Sequence, residues 1–215
     1  MHFIPEELDD YVVKHTEDEP ELLQQLTRET YQKILQPRML SGHYQGRLLS
    51  MISKLVNPKN ILEIGTYTGY SALCLAEGMQ DEGELHTIDV NEELVDFQRK
   101  YFDKSDYASQ IHQHLGSALD IIPKLDKTFD LVFIDADKVN YPKYFDIIID
   151  KLNTGGIILS DNVLWSGKIL DTTFKKDDVS TPALIAYNKL LKTDTRVETV
   201  VLPIRDGLTI SRKKK

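Results

Sequence analysis

The sequence predicts an α/β fold: a mostly parallel sheet with helices on both faces. Three observations predict it. After Asn60, short apolar runs alternate with helical stretches, in the order ILEIG, helix, ELHTIDV, helix, QIHQHL, a short helix near Ser117, FDLVFID, helix, GGIILSD. Five such strand-then-helix units are the pattern of parallel strands buried on both sides. Several of these runs end in glycine or in carboxylates, which is where ligands meet an open α/β sheet. The chain then finishes RVETVVLPIRDGLTISR, two β-rich runs about an Asp-Gly turn, which reads as a hairpin.

The residues before Asn60 read as helix. ELLQQLTRETYQKIL sets Leu22, Leu23, Leu26, Ile34 and Leu35 on one helical face, and GRLLSMISKLV does the same with Leu48, Leu49, Ile52, Leu55 and Val56 before Asn57-Pro58 stops it. Between them QPRMLSGHYQG carries Pro37 and Gly42 and does not continue a helix easily. Near the other end Thr181 reads as the N-cap of a helix opened by Pro182. The stretch from Trp165 to Thr181 is polar and without periodicity, and a loop of that length in a compact domain is usually functional.

Composition narrows the function. With 41% hydrophobic and 28% charged residues the chain can bury a substantial core. Its one cysteine, Cys74, allows no internal disulfide and suits a reducing compartment. The start MHFIPEELDD is acidic rather than a secretory signal, and no apolar run approaches the roughly 20 residues of a bilayer span. A cytoplasmic protein without a membrane partner is expected. The net charge of −8 argues against nucleic acid as a partner.

The first chemical motif is ILEIGTYTGYSALCLA. A strand ends at Glu63-Ile64, glycines Gly65 and Gly69 shape a tight turn, and a helix begins near Tyr70. The spacing is not the G-x-G-x-x-G of dinucleotide binders, and Glu63 would repel a pyrophosphate, so a cationic ligand is favoured over a nicotinamide dinucleotide. S-adenosylmethionine (SAM), with its ammonium and sulfonium, suits such a site; a generic strand-to-helix turn fits equally well. The second strand ends in Asp89, 24 positions after Gly65, where an acid holds a ribose diol in adenosine-binding α/β folds. Asp89 could instead cap the next helix, but Asn91 lies closer to it and caps as well.

Two further strands end in FIDADK and LSDN. Strands four and five should be neighbours across the point where strand order reverses, so that Asp135, Asp161 and Asn162 converge. Three hard oxygen donors without a cysteine suit Mg²⁺, Mn²⁺ or Ca²⁺ rather than zinc, and like charges this close would be costly without a cation. His112 and His114 share one face of a strand, but an H-x-H without an acid partner is read as surface. Cys74, among Leu73, Leu75 and Ala76, is read as core.

MLSGHYQGRLLSMI, ILEIGTYTGYSALCLA, HTIDVNEE, FDLVFIDADKVNYPKYFD, GGIILSDNVLWSGKI and the terminal RDGLTIS together make the chain resemble the cation-dependent O-methyltransferases, the caffeoyl-CoA and catechol O-methyltransferase family. DNVLWSGKI is nearer the caffeoyl-CoA branch and its bacterial relatives. The resemblance implies a three-layer α/β/α sandwich of the Rossmann-like class I SAM-dependent methyltransferase fold, seven-stranded with the last strand antiparallel. It implies one domain over 1–215, with a helical part at 1–57 and an α/β core at 58–215. By the same resemblance Met39 and the backbone near Ser41 flank SAM, while Glu63, Gly65, Tyr67 and Ser71 surround its methionine end. Asp89 holds the ribose and Gly116 to Ala118 lie along the adenine. Asp135 touches both metal and cofactor, Asp161 and Asn162 complete the metal ligands, Lys138 is the general base beside the acceptor, and Trp165 stacks near the acceptor ring.

The implied reaction is methyl transfer to one hydroxyl of a vicinal aromatic diol, a catechol or a caffeoyl-type acceptor, by a homodimer. A tRNA nucleoside hydroxyl and a non-catalytic SAM-binding protein stay open as alternatives. The N-terminal helices and the Trp165–Thr181 stretch should line the acceptor mouth, so removing residues 1 to about 20 should alter acceptor preference more than cofactor affinity.

Overall fold

The computed structural model describes residues 5–171 and 173–215. Within it the chain divides into two compact units, one ending at Ser117 and the other running Ala118–Lys215. The division falls between the third strand and the helix after it.

The first unit opens with three helices, α1 (Glu6–Lys14), α2 (Glu21–Lys33) and α3 (Gly42–Val56). Pro5 and Pro20 precede the first two, where a residue without an N–H leaves no donor stranded. Helix α2 buries Leu23, Leu26 and Thr30. The apolar face expected to run on to Ile34 and Leu35 is cut short, because the backbone turns extended at Ile34 and Leu35 is left 85% exposed. In α3, Leu49 and Ile52 are buried as expected but Leu55 is 78% exposed. The buried stripe there is completed instead by Gln45, Arg47, Ser50 and Ser53. Arg47 forks onto both Glu77 oxygens at 2.9 and 2.6 Å, which is how a charge tolerates this burial. Asn57 ends α3 in the left-handed conformation.

Strands β1 (Asn60–Ile64), β2 (Glu84–Asp89) and β3 (Ile111–Leu115) follow, with α4 (Tyr70–Ala76) and α5 (Val95–Phe102) between them. They pair in parallel as β3-β2-β1. Cys74 lies fully buried in α4, and burial pushes its thiol far above the ordinary range, so the core reading of this residue stands.

The second unit holds α6 (Ala118–Ile121), β4 (Phe129–Ile134), α7 (Tyr141–Ile148), β5 (Leu152–Asp161), α8 (Ser180–Thr193), β6 (Val197–Leu202) and β7 (Leu208–Lys213). Strand β4 is apolar at nearly every position and almost fully buried, as a strand covered on both faces must be. It pairs with β5 in parallel, whereas β7 runs antiparallel to both β5 and β6. The terminal hairpin is therefore present. The seven strands form a mixed sheet in the order β3-β2-β1-β4-β5-β7-β6. Strands β4 and β5 are neighbours as expected, but the reversal of strand order comes ahead of β4 and not between these two.

The start of α8 also differs from expectation. Thr181 is not the cap: Val179 is, and Thr181 lies inside the helix, donating from its backbone N–H and its hydroxyl to Asp178 at 3.0 and 2.7 Å. The stretch before it is short 3₁₀ turns from Trp165 to Leu170, broken at Ser166 and Gly167; Thr172, within the same stretch, lies outside the described residues. Among the described residues no helix is long and apolar enough to cross a membrane.

Candidate active site

In the first unit the site is built at the carboxyl ends of β1 and β2. Their register pairs Ile64 with Ile88, so Gly65 and Asp89 emerge side by side although 24 residues separate them. The Gly65 N–H donates to the Ile88 carbonyl at 2.9 Å, carrying the ladder one step into the turn. Gly69, at φ 88°, then starts α4 from a left-handed conformation that costs a glycine nothing. Tyr67 is left-handed too, at φ 47°, and for a residue with a side chain that is strained. Three contacts hold it there. Its N–H donates to Asp89 Oδ2 at 2.7 Å, its carbonyl accepts from Gln98 Nε2 at 2.7 Å, and its phenol donates to the carbonyls of Leu35 and Gln36. The last contact ties the segment after α2 to the glycine turn; Met39, 54% exposed, stands in the next 3₁₀ turn.

Asp89 spends its other oxygen on the Asn91 N–H at 2.9 Å, and Asn91 in turn caps the following turn through Glu93 N–H at 3.0 Å. The cap is therefore Asn91, and Asp89 is a half-buried carboxylate pinned by two backbone donors with lone pairs left over. Glu63 is fully buried, with Oε1 accepting from the Ser71 hydroxyl at 2.6 Å and Oε2 from Thr87 at 2.5 Å. A carboxylate held this way supplies negative charge beneath the turn while its neighbours fix its orientation. At the end of β3 the Gly116 N–H donates to the Asp89 carbonyl at 2.8 Å.

The second unit carries the oxygen donors. Ile134 pairs with Ser160 in the β4–β5 register, so Asp135 and Asp161 follow as neighbours on strands about 4.8 Å apart. Asp161 is 2% exposed and accepts the Asn162 N–H at 2.8 Å. Asn162 stands at φ 59°, a left-handed position that turns its side chain out of the strand alternation. Lys138, also buried, donates to Asp135 Oδ1 at 2.8 Å and to the Tyr141 hydroxyl at 2.7 Å. Tyr141 lies within hydrogen-bond reach of the Asp161 carbonyl at 3.0 Å and the Ile134 carbonyl at 3.2 Å. Burial pushes its phenol well above the ordinary value, so it stays a donor. The chain Asp135–Lys138–Tyr141 thus joins the ends of both strands. Ala118, buried, begins α6 in this unit.

Sequence reasoning missed Tyr141 and Asp206. Tyr141 carried only a weak signal, a hydroxyl three residues after Lys138 at the start of a helix. Asp206 was read as half of a turn. It also accepts from the Ser166 N–H, while its backbone carbonyl accepts Leu164 N–H at 2.9 Å, so the hairpin holds the Trp165 loop. Trp165 stands at φ 47°, and its buried indole N–H meets no hydrogen-bond partner among the described residues. Gly207 sits at φ 90°, and a Cβ there would lie 2.4 Å from Leu164 Cγ and 2.9 Å from Leu164 N. Gly207→Ala is therefore expected to lower stability by about 1–3 kcal/mol and to shift the Asn162–Trp165 backbone. Thermal denaturation checks the first effect; a midpoint equal to wild type would mean the turn relaxes freely.

The histidines contradict one expectation. His112 does have an acid partner, contributed by the neighbouring strand, with its Nε2 3.9 Å from Glu84 Oε2. His86 pairs directly with His112 across β2–β3, and Glu84 lies two residues before His86 on the same face. The His86 ring stacks on both others, at centroid distances of 4.9 Å and 5.2 Å. Burial holds His86 and His114 below the usual imidazole range.

Comparison with known proteins places the chain in a family. A family model described as O-methyltransferase matches residues 13–214, well ahead of the first motif at Met39. The chain is 37% identical to caffeoyl-CoA O-methyltransferase 5 of Nicotiana tabacum over 205 residues, covering 91% of this chain and 85% of that protein. It is 36% identical to caffeoyl-CoA O-methyltransferase of Petroselinum crispum over the same shares. Among solved structures, an O-methyltransferase of Streptomyces achromogenes involved in tomaymycin synthesis, in complex with SAM, superposes with a TM-score of 0.89 at 27% identity, covering 97% of this chain and 96% of that one. An O-methyltransferase of Bacillus cereus gives the same score and identity, with 97% of each chain covered.

Proposed function

This chain belongs to the O-methyltransferase family and is a SAM-dependent methyltransferase of Rossmann-like fold, and from that premise we propose that it methylates one hydroxyl of a vicinal aromatic diol with the help of a divalent cation. The observation that carries the proposal is the placement of Asp135, Asp161 and Asn162 at the ends of two paired strands, with Lys138 hydrogen-bonded to the first. The donor set fits a hard cation: three oxygen ligands, two of them anionic and one almost wholly buried, are costly to gather unless positive charge is added. Lys138 supplies one such charge now. Mg²⁺, Mn²⁺ or Ca²⁺ held by the three would lower the pKa of a bound acceptor hydroxyl, which for a phenol is ordinarily about 10.

The residues of the chain divide the remaining work. With a cation held by the three ligands in its place, Lys138 would act as the neutral amine and take the acceptor proton, and Asp135 and Tyr141, its present hydrogen-bond partners, would hold the ammonium so formed. Trp165 offers a ring face to the aromatic acceptor. In the first unit Asp89 accepts from the ribose hydroxyls of SAM, and Glu63, through Ser71, places negative charge near the cationic methionine end. Gly65 and Tyr67 bring backbone close to the same group, and Met39 flanks it. A cytoplasmic setting and a homodimer belong to the same reading; the single Cys74 supports the former.

A methyl-transfer assay with Mg²⁺ tests the substrate class. Caffeoyl-CoA and simple catechols should be methylated, and matching monohydroxy compounds should not. Equal turnover of the monohydroxy compounds would sink the diol reading. For the cofactor, Asp89→Ala should weaken SAM by about 1–3 kcal/mol, roughly 5- to 150-fold in Kd, the cost of hydrogen bonds to a charged group. Titration calorimetry showing unchanged affinity would remove Asp89 from the site.

A further inference from the structure

The geometry points to a second metal site, for a zinc-like transition ion, formed by Glu84, His86 and His112 on strands β2 and β3. One ligand atom from each of the three lies within 4.8 Å of the others. His86 Nε2 is 3.3 Å and His112 Nε2 3.9 Å from the same Glu84 oxygen, Oε2. Ligand atoms bound to one zinc at about 2.0–2.2 Å stand within about 4.4 Å of each other, so the cluster needs only a small closure. The more exposed member has room for it: the His112 side chain is 43% exposed on β3, the strand at the edge of the sheet, whereas the His86 side chain is 9% exposed. The parallel register fixes the rest, since His86 and His112 are direct partners and Glu84 shares their face.

The donor types discriminate the ion. Two imidazoles and a carboxylate are the set that holds zinc in open sites, and they are poor partners for Mg²⁺ or Ca²⁺, which take oxygen. His114 supplies the outer contact such sites require. Its Nε2 lies 2.9 Å from His86 Nδ1, and a proton on Nδ1 shared with His114 leaves the His86 Nε2 lone pair directed to Glu84. The site is separate from the methyl-transfer residues of this unit: Glu84 begins β2 and Asp89 ends it, about 16 Å apart along the strand. An ion bound here would clip edge strand β3 to β2.

The test uses the full chain in buffer with excess Mg²⁺, so that the oxygen donors near Asp161 are occupied. Zn²⁺ is titrated in competition with a chromophoric chelator, and Co²⁺ is used in parallel for its visible spectrum. About one equivalent of Zn²⁺ should bind with micromolar or tighter affinity, and Co²⁺ should show the strong absorption of low coordination number. His112→Ala and Glu84→Gln should each weaken Zn²⁺ at least about 10- to 100-fold, the loss expected for outer-shell contacts alone. Asp161→Ala should leave the titration unchanged, and His112→Ala should leave methyl transfer unchanged. Circular dichroism in chelator confirms that the variants fold. Equal Zn²⁺ affinity in wild type, His112→Ala and Glu84→Gln would overturn the site. So would loss of Zn²⁺ binding in Asp161→Ala, or the absence of binding in the wild type.

Discussion

Asp161→Ala should lower turnover by about 10²- to 10³-fold at ordinary Mg²⁺ and recover part of it at high cation concentration. The magnitude follows from the several kcal/mol a cation contributes to stabilising developing charge, at about 1.4 kcal/mol per decade. Asp161 is the only buried one of the three proposed ligands, and its place at the end of β5 is set by pairing of that strand on both sides, with β4 and with β7. Removing it takes away a ligand and one negative charge. Without a cation, that loss also relieves repulsion with Asp135, so thermal stability measured in chelator should fall little if at all. Chelator should abolish wild-type turnover, with Mg²⁺, Mn²⁺ and Ca²⁺ restoring it to differing extents. Full activity in excess chelator, with no metal in the purified protein, would refute the cation scheme.

Lys138→Ala should cost about 10²- to 10⁴-fold in turnover, the range of a positioned proton acceptor. Cation affinity should not weaken, because the ammonium at 2.8 Å from Asp135 Oδ1 competes with a cation for that oxygen. Tyr141→Phe separates positioning from proton transfer. It removes the hydroxyl that Lys138 contacts at 2.7 Å but leaves the amine, so turnover should fall less and the pH profile should move. Steady-state kinetics at several cation concentrations decide between the readings. If Lys138→Ala retains full turnover, proton removal belongs to the cation and solvent, and Lys138 is a structural partner of Asp135.

The sequence by itself determined the parts of this protein that depend on neighbours in the chain. Near-continuous apolar runs such as LVFI identified buried parallel strands, because a strand covered on both faces has no polar side to show. The G-x-x-x-G turn, the Asn91 cap and the Asp-Gly hairpin were legible because each satisfies its own backbone within a few residues. Asp135, Asp161 and Asn162 were legible as strand ends, since the strands themselves were. Tertiary structure decided whatever depended on a partner distant in sequence. Periodicity shows which side chains share a helical face but not what covers them, so Leu35 and Leu55 fit the pattern and still point to solvent. The acid beside His112 comes from β2, 28 residues earlier, and only inter-strand register places Glu84 and His86 there. Tyr141 and Asp206 act through hydrogen bonds to other elements, with carbonyls at two strand ends and with the Trp165 loop. Such contacts leave no local signature, because their energy is gained only once the sheet has brought the two segments together.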